Sequence, residues 1–131
     1  MDNPARAFDP STKSIAVIDD VEDLAVTLVM LLELEGYVAQ YALTGASGLV
    51  LIETMGADAV LLDFALPDMT GAEVGHALRR NPATSGVKIL MCTSTLEETV
   101  KPRFADYDAF LEKPVAHYRL MHELEGALAC P

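Results

Sequence analysis

The chain lacks the cysteines that a small extracellular scaffold depends on, since its 131 residues include only Cys92 and Cys130. Two cysteines exclude a disulfide-rich framework. No C-x-x-C pair and no cluster of Cys and His stands anywhere in the sequence. This argues against a structural zinc site, which needs three or four such ligands at short spacing.

Basic residues are also scarce. Nine Lys and Arg stand against 20 Asp and Glu, and the formal net charge is −11 at pH 7. A surface this acidic repels nucleic-acid backbones and anionic lipid headgroups. We therefore expect no direct binding to nucleic acid and no binding to membranes.

Long hydrophobic runs are missing as well. The longest apolar stretch, Leu24–Leu32, contains Thr27 and stops at Glu33. A membrane-spanning helix needs about 20 such residues. Residues 1–10 contain no apolar segment of the kind that a signal peptide requires. The sequence thus predicts a cytoplasmic protein.

The remaining composition is that of one globular domain. Hydrophobic residues make up 51% of the chain and charged residues 22%, which excludes a disordered protein, and the length fits a single domain. Residues 1–13 contain Pro4 and Pro10 and show no periodicity. They are predicted to form a flexible tail that precedes a domain over residues 14–131.

Short apolar segments alternate with helical patterns along that domain. The predicted strands are Ser14–Ile18, Val38–Ala42, Ala59–Leu62, Val87–Cys92 and Ala109–Leu111. The predicted helices are a leucine stripe from Leu24 to Leu32 that stops at Gly36, then Gly45–Met55, Ala72–Arg80, Leu96–Phe104 and a stripe from Leu120 to Leu128. Strands that are apolar throughout indicate a parallel sheet covered on both faces. The order predicts an α/β fold, a doubly wound five-stranded parallel sheet in three layers.

Polar residues follow four of the predicted strands. Asp19 and Asp20 follow the first strand, Asp63 the third, Thr93 ends the fourth, and Lys113 follows the fifth. A single Asp in such a place is commonly a helix cap. Three carboxylates at one sheet edge repel each other, however, unless a cation lies among them, and carboxylate oxygens favour Mg²⁺. Lys113 and Thr93 suit the oxygens of a phosphoryl group, so the set indicates phosphoryl chemistry.

On these residues the chain resembles the receiver domain of two-component response regulators. The resemblance runs from Ser14 to Ala129, nearly the whole chain. Four motifs carry it in the expected order: I-D-D at Ile18–Asp20, L-L-D-F-A-L-P-D-M-T-G at Leu61–Gly71, I-L-M-C-T-S at Ile89–Ser94, and D-A-F-L-E-K-P at Asp108–Pro114. The resemblance implies the flavodoxin-like strand order 2-1-3-4-5, and either isomer of the Lys113–Pro114 peptide bond is compatible with the sequence.

The resemblance implies an acceptor and a metal site. Asp63 would accept the phosphoryl group. Asp20 and Asp63 would bind Mg²⁺ directly, together with the backbone carbonyl of Ala65, and Asp19 would assist indirectly through water or by holding the geometry.

It also implies the residues that respond. Lys113 would bridge to the phosphoryl oxygens, the Thr93 hydroxyl would donate to the phosphoryl group, and Phe110 would be the aromatic side chain that changes rotamer with Thr93.

The sequence departs from the family pattern in three places. Ala65 and Thr95 stand where polar side chains often lie near the attacking water. The segment from Thr93 to Lys113 is shorter than usual and contains Pro102, and Asp106 replaces a common glycine. The short segment, Pro102 and Asp106 predict a short or irregular fourth helix.

The leading hypothesis is a stand-alone signalling switch rather than an enzyme acting on other substrates. It would take a phosphoryl group from a phosphohistidine of a sensor kinase or a phosphotransfer protein. The face formed by the fourth helix, fifth strand and fifth helix would then regulate an unidentified partner. We expect no attached DNA-binding module, because the chain ends just after the fifth helix.

Three alternatives remain open. One is a receiver domain from a hybrid histidine kinase. Another is an aspartate-nucleophile phosphatase, which usually has a second Asp two residues after the first, where this chain has Ala65. The third is a flavin-binding electron carrier, which favours aromatic residues, yet these make up only 6% of the chain.

Overall fold

The structure, a computed structural model, describes residues 9–130. Most of the predicted tail, residues 1–8, lies outside this range. The described chain begins with a single 3₁₀ turn, Pro10–Thr12. The strands are β1 Ser14–Ile18, β2 Val38–Ala42, β3 Ala59–Leu62, β4 Lys88–Thr93 and β5 Ala109–Glu112. The helices are α1 Glu22–Leu34, α2 Gly45–Met55, α3 Gly71–Arg80, α4 Glu97–Val100 and α5 His117–Ala129. Within the described range, no helix is long and apolar enough to cross a membrane.

All five strands are parallel, and their order is β2-β1-β3-β4-β5. Both the fold class and the strand order expected from the sequence are therefore confirmed. Ile18 at the end of β1 pairs with Ala42 of β2 and with Leu62 of β3. This register brings the residues that follow β1 and β3 to the same edge of the sheet.

Two apolar cores cover the two faces of the sheet. One core combines Ile15 and Val17 with buried side chains of α1 and α5. The other combines Ala16 and Ile18 with α2, α3 and the segment that contains Phe104. Alternate residues of β1 thus point to opposite cores, which explains why the central strands are apolar throughout.

The fourth helix is much shorter than the predicted segment Leu96–Phe104. It spans only Glu97–Val100, after which the N–H groups of Arg103 and Phe104 both return to the carbonyl of Val100. Pro102 has no N–H to continue the helical ladder. The chain then turns so that Phe104, 2% exposed, enters the core beside α3. The expectation of a short or irregular helix agrees with this, but the predicted end at Phe104 was wrong.

Candidate functional site

Three carboxylates meet at the carboxyl edge of the sheet. Asp19 and Asp20 follow β1, and Asp63 follows β3. One carboxylate oxygen of each lies within 4.8 Å of the others. The two neighbouring strands hold them there, since the N–H of Asp63 donates to the carbonyl of Ile18 at 3.0 Å. Asp19 is 2% exposed and Asp63 7%, whereas Asp20 faces solvent.

Lys113 joins the two buried carboxylates. Its Nζ donates to Oδ2 of Asp19 at 2.6 Å and to Oδ2 of Asp63 at 3.1 Å. Partial burial acts to lower the pKa of Lys113, but the hydrogen bonds to Asp19 and Asp63 outweigh it and the pKa is raised. The ammonium group is therefore charged at neutral pH, and the site combines one cation with two buried anions.

The second oxygen of each buried carboxylate is directed toward the backbone. Oδ1 of Asp19 accepts from the N–H of Val21 at 3.0 Å, and Oδ1 of Asp63 accepts from that of Ala65 at 3.4 Å. Each carboxylate is thus oriented from two sides. Fixed orientation matters for a group that must present one oxygen to a metal or to a reacting atom.

The donor set fits a small hard cation. Three carboxylates against one ammonium leave an excess of negative charge, and oxygen ligands suit Mg²⁺, which commonly uses one or two carboxylates and several waters. Asp20 faces solvent, so hydrated metal has access to the site. The residues that the resemblance assigns to a metal site, namely Asp19, Asp20, Asp63 and Ala65, lie together in the fold.

Thr93 and Phe110 lie on the two neighbouring strands β4 and β5. Thr93 is 1% exposed, and its Oγ1 accepts from the N–H of Thr95 at 3.2 Å. The carbonyl of Thr93 accepts from the N–H of Lys113 at 2.9 Å, which links the end of β4 to the base of the site. Phe110 is half-buried and its ring lies 5.6 Å from that of Tyr107.

The ring of Phe110 belongs to a series of aromatic contacts that the sequence analysis missed. Tyr107 contacts Phe104 at 6.3 Å, and Phe104 contacts His76 of α3 edge-on at 5.2 Å. The Tyr107 hydroxyl also bonds the carboxylate of Glu97, and burial followed by that contact raises the pKa of Tyr107 to about 12. Such contacts arise only because the chain leaves the helix after Val100, and a helical pattern gives no sign of them.

An apolar cavity of about 450 Å³ adjoins the site. It lies between α1 and the segment after β5, which contains a cis Lys113–Pro114 peptide bond. Leu24, Leu28, Cys92, Ser94, Lys113, Pro114 and Val115 line it. Burial raises the pKa of the Cys92 thiol to about 11; the positive charge of Lys113 acts to lower it, and the negative charges of Asp19 and Asp63 act to raise it, each to a smaller extent. Cys92 is therefore a neutral, buried thiol, as its position in an apolar strand indicates.

Comparison with known proteins identifies relatives of the whole domain. Residues 15–125 match the family model of the response regulator receiver domain. The sensory transduction protein RegX3 of Mycolicibacterium smegmatis is 35% identical over 88% of this chain and 50% of that protein. The phosphate regulon transcriptional regulatory protein PhoB of Rhizobium meliloti is 32% identical over 87% of this chain and 51% of that protein. The chain thus spans about half the length of these curated relatives.

Solved structures resemble the fold over a similar range. A CheY-like response regulator receiver domain protein from Methanospirillum hungatei has a TM-score of 0.80 and 32% identity, covering 88% of this chain and 93% of that one. A putative response regulator from Chloroflexus aurantiacus has a TM-score of 0.82 and 27% identity, covering 89% and 98%. The Asp cluster and the lysine therefore stand in a fold shared with such proteins.

Proposed function

The chain belongs to the receiver domain family of response regulators, and from this we propose that it is a signalling switch operated by phosphorylation of Asp63. Receiver domains are switches and bind Mg²⁺ in their acidic pocket. The observation that supports Asp63 as the acceptor is its position, 7% exposed and hydrogen-bonded to Lys113, in the cluster with Asp19 and Asp20.

The phosphoryl transfer itself is a displacement at phosphorus. A carboxylate oxygen of Asp63 forms the new P–O bond while the P–N bond of a donor phosphohistidine breaks. The electron pair of that bond remains on the donor imidazole. The main tasks of the protein are to align the attacking and leaving groups and to neutralise the equatorial oxygens of the phosphoryl group.

Asp20, Asp63 and the backbone carbonyl of Ala65 would hold the metal, and Asp19 would assist indirectly. A Mg²⁺ ion held by these groups would supply positive charge to neutralise the phosphoryl oxygens. Lys113 supplies the second positive charge, since its ammonium group already lies 3.1 Å from Asp63. When Asp63 becomes an acyl phosphate, Lys113 can keep its 2.6 Å contact with Asp19 and turn a remaining proton to the phosphoryl group.

The response would begin at Thr93 and Phe110. Donation from the Thr93 hydroxyl to the new phosphoryl oxygens would move Thr93 and free space for Phe110. Because the Phe110 ring packs on Tyr107, we expect α4, β5 and α5 to carry the change to an unidentified partner. Phe110 has no hydroxyl, so packing alone controls its rotamer.

The donor would be a sensor histidine kinase or a histidine phosphotransfer protein. Such a partner must bring its histidine to the edge that bears Asp63. The exposed Val26 and Met30 of α1, together with Pro114 and Val115 beside the 450 Å³ cavity, offer apolar surface near that edge. Apolar residues commonly form the centre of a protein interface.

Intact mass spectrometry after incubation with acetyl phosphate and Mg²⁺ tests the acceptor. The wild-type chain should gain a phosphate adduct, and Asp63→Asn should gain none because the amide is not a nucleophile. Asp58→Asn is the matched control, because Asp58 lies immediately before β3 and Asp63 lies immediately after it. A full adduct on Asp63→Asn would refute the assignment.

A further inference from the structure

We propose that Asp68 is a positioning residue for the metal site, acting through the loop that carries Ala65. This inference rests on the proposed function, in which the Ala65 carbonyl is a ligand of Mg²⁺. Asp68 lies in the loop between β3 and α3, and its side chain reaches a different element, the first turn of α2.

The carboxylate of Asp68 caps α2 from outside that helix. Its Oδ1 accepts from the N–H of Gly45 at 2.8 Å and its Oδ2 from the N–H of Ala46 at 2.9 Å. Thr44 caps the next N–H, that of Ser47, at 3.1 Å. The first turn of α2 contains no acidic residue of its own, so Asp68 supplies the negative charge that the amino end of a helix favours.

Both carboxylate oxygens of Asp68 are used by its hydrogen bonds to α2. The two backbone N–H groups, that of Ala46 before that of Gly45, lower the pKa of Asp68. Because both oxygens are occupied by α2, this carboxylate serves the loop rather than offering a further ligand to a cation. Asp68 is exposed to water, and its two oxygens still accept from two backbone N–H groups of α2.

The loop is fixed at its base by its own backbone. Ala65 forms an isolated bridge with Thr70, and the N–H of Gly71 donates to the carbonyl of Phe64 at 2.7 Å. A methyl group on Gly71 would lie 2.4 Å from the carbonyl oxygen of Asp63. The base of the loop is therefore packed directly against the acceptor residue.

The far end of the loop is fixed by α2. Asp68 bonds the helix, and the neighbouring Met69 packs so closely on Gly45 that a methyl group there would lie 2.4 Å from its Cγ. Ala65 belongs to the fixed base, and Asp68 fixes the far end of the same loop. The carbonyl of Ala65 can act as a ligand only while the loop backbone keeps one conformation. The hydrogen bonds of Asp68 to α2 stabilise that conformation of the loop.

The expected change in Mg²⁺ affinity follows from the fraction of molecules whose loop is in the binding conformation. If loss of the cap leaves the loop in the binding conformation for about a tenth of the time, the apparent Mg²⁺ affinity falls about tenfold. Saturating Mg²⁺ restores the bound conformation, so the maximum response is retained. A residue with a merely structural role would lower the melting temperature without moving the Mg²⁺ dependence.

The experiment compares Mg²⁺ binding by the full chain and its variants, by calorimetry and by the rise in melting temperature with Mg²⁺ concentration. Asp68→Ala should raise the half-saturating concentration about tenfold, and Asp68→Asn, which keeps one acceptor oxygen, by an intermediate factor. Asp58→Ala is the matched control, because Asp58 also accepts from a backbone N–H, that of Ser14 at 2.8 Å, at the opposite end of the sheet. It should leave the half-saturating concentration unchanged.

Several outcomes would overturn the proposal. Wild-type Mg²⁺ affinity in Asp68→Ala would do so, as would equal shifts in Asp68→Ala and Asp58→Ala. If the wild-type chain is phosphorylated in a Mg²⁺-dependent way while Asp68→Ala binds Mg²⁺ normally, the role of Asp68 alone is refuted. If the wild-type chain neither binds Mg²⁺ nor gains a phosphate adduct, the proposed function fails and this inference fails with it.

Discussion

The ring of Phe104 lies over Gly75 of α3, so closely that a methyl group at position 75 would come within 2.7 Å of the ring. Phe104 is 2% exposed. The contact attaches the segment after α4 to α3. A glycine in the middle of a helix ordinarily lowers its stability, and here it gives room for the ring of Phe104, which is among the largest fully buried side chains.

Substituting Gly75→Ala should therefore destabilise the protein. The alanine gains about 1 kcal/mol of helix propensity, but overpacking against the Phe104 ring costs about 1–3 kcal/mol. Gly126→Ala in α5 is the control, because nothing lies within 4 Å of a methyl group there, and it should stabilise by about 0.5–1 kcal/mol. Urea denaturation measures both, and equal stabilisation would contradict the packing described.

Mg²⁺ should raise the melting temperature of the wild-type chain and not that of Asp20→Ala. Binding to the native state stabilises it by about 2.7 kcal/mol at a concentration of a hundred Kd. Without Mg²⁺, Asp20→Ala should melt no lower than wild type, because one member of a repelling cluster is gone. Asp23→Ala, also exposed near the start of α1, is the control. Equal Mg²⁺ responses in Asp20→Ala and wild type would place the metal elsewhere.

The two cysteines should differ in reactivity. The pKa of Cys92 is raised to about 11, so the thiolate fraction at pH 8 is lower by about 100-fold than at the ordinary value. Iodoacetamide at pH 8 should modify the exposed Cys130 and leave Cys92 unmodified until urea unfolds the chain. Because the folded chain favours the protonated thiol, the contribution of neutral Cys92 to the free energy of unfolding is fully present below pH 9 and is lost as the pH rises toward 11. Rapid native labelling of Cys92, located by peptide mass spectrometry, would contradict its burial.

Met30→Asp should slow transfer from a cognate kinase about tenfold, a loss of ~1.4 kcal/mol, and leave labelling by acetyl phosphate intact. The side chain of Met30 is 59% exposed on α1, where we place the donor. Val50→Asp makes the same change at a residue that is 66% exposed on α2, and it should transfer normally. Parallel losses of both labelling reactions in Met30→Asp would indicate damage to the fold.

The lifetime of the phosphorylated chain should be lengthened by the absence of a carboxylate or amide side chain at positions 65 and 95. Neither Ala65 nor Thr95 can act as an acid or base toward water. A variant carrying Ala65→Asn and Thr95→Glu should lose its phosphate at least about tenfold faster, since a carboxylate can accept the proton of the attacking water. Thr99→Glu adds the same charge on exposed α4 and serves as control. An unchanged rate in the double variant would show that other groups control hydrolysis.

Much of the fold could be predicted because the pattern that encodes it is local. The central strands β1 and β3 are short apolar runs, and the bounds of β1, β2, β3 and α2 agree with the prediction. The convergence of Asp19, Asp63, Thr93 and Lys113 follows from one geometric rule, that parallel strands end at the same edge. The chemical roles of these residues stay predictions until phosphorylation is measured.

Other features depend on contacts between distant residues, which no local pattern reveals. Asp68 bonds Gly45, 23 positions away, and Arg79 bonds the backbone carbonyl of Asp106, 27 positions away. The end of α4 is set by the fit of Phe104 over Gly75, which needs the three-dimensional packing of α3. A proline at position 102 indicates that a helix is disturbed, but not where the chain goes next.

Because α4 is short, it limits the surface that the face formed by α4, β5 and α5 offers to a helical partner. Helices pack by placing ridges of side chains, spaced three or four residues apart, into the grooves of one another. The four residues of α4 form barely one turn and so have neither a continuous ridge nor a groove. The 13 residues of α5 have both, and the exposed Tyr118 lies in its first turn. A helix that binds this side would therefore take its crossing angle from α5 alone.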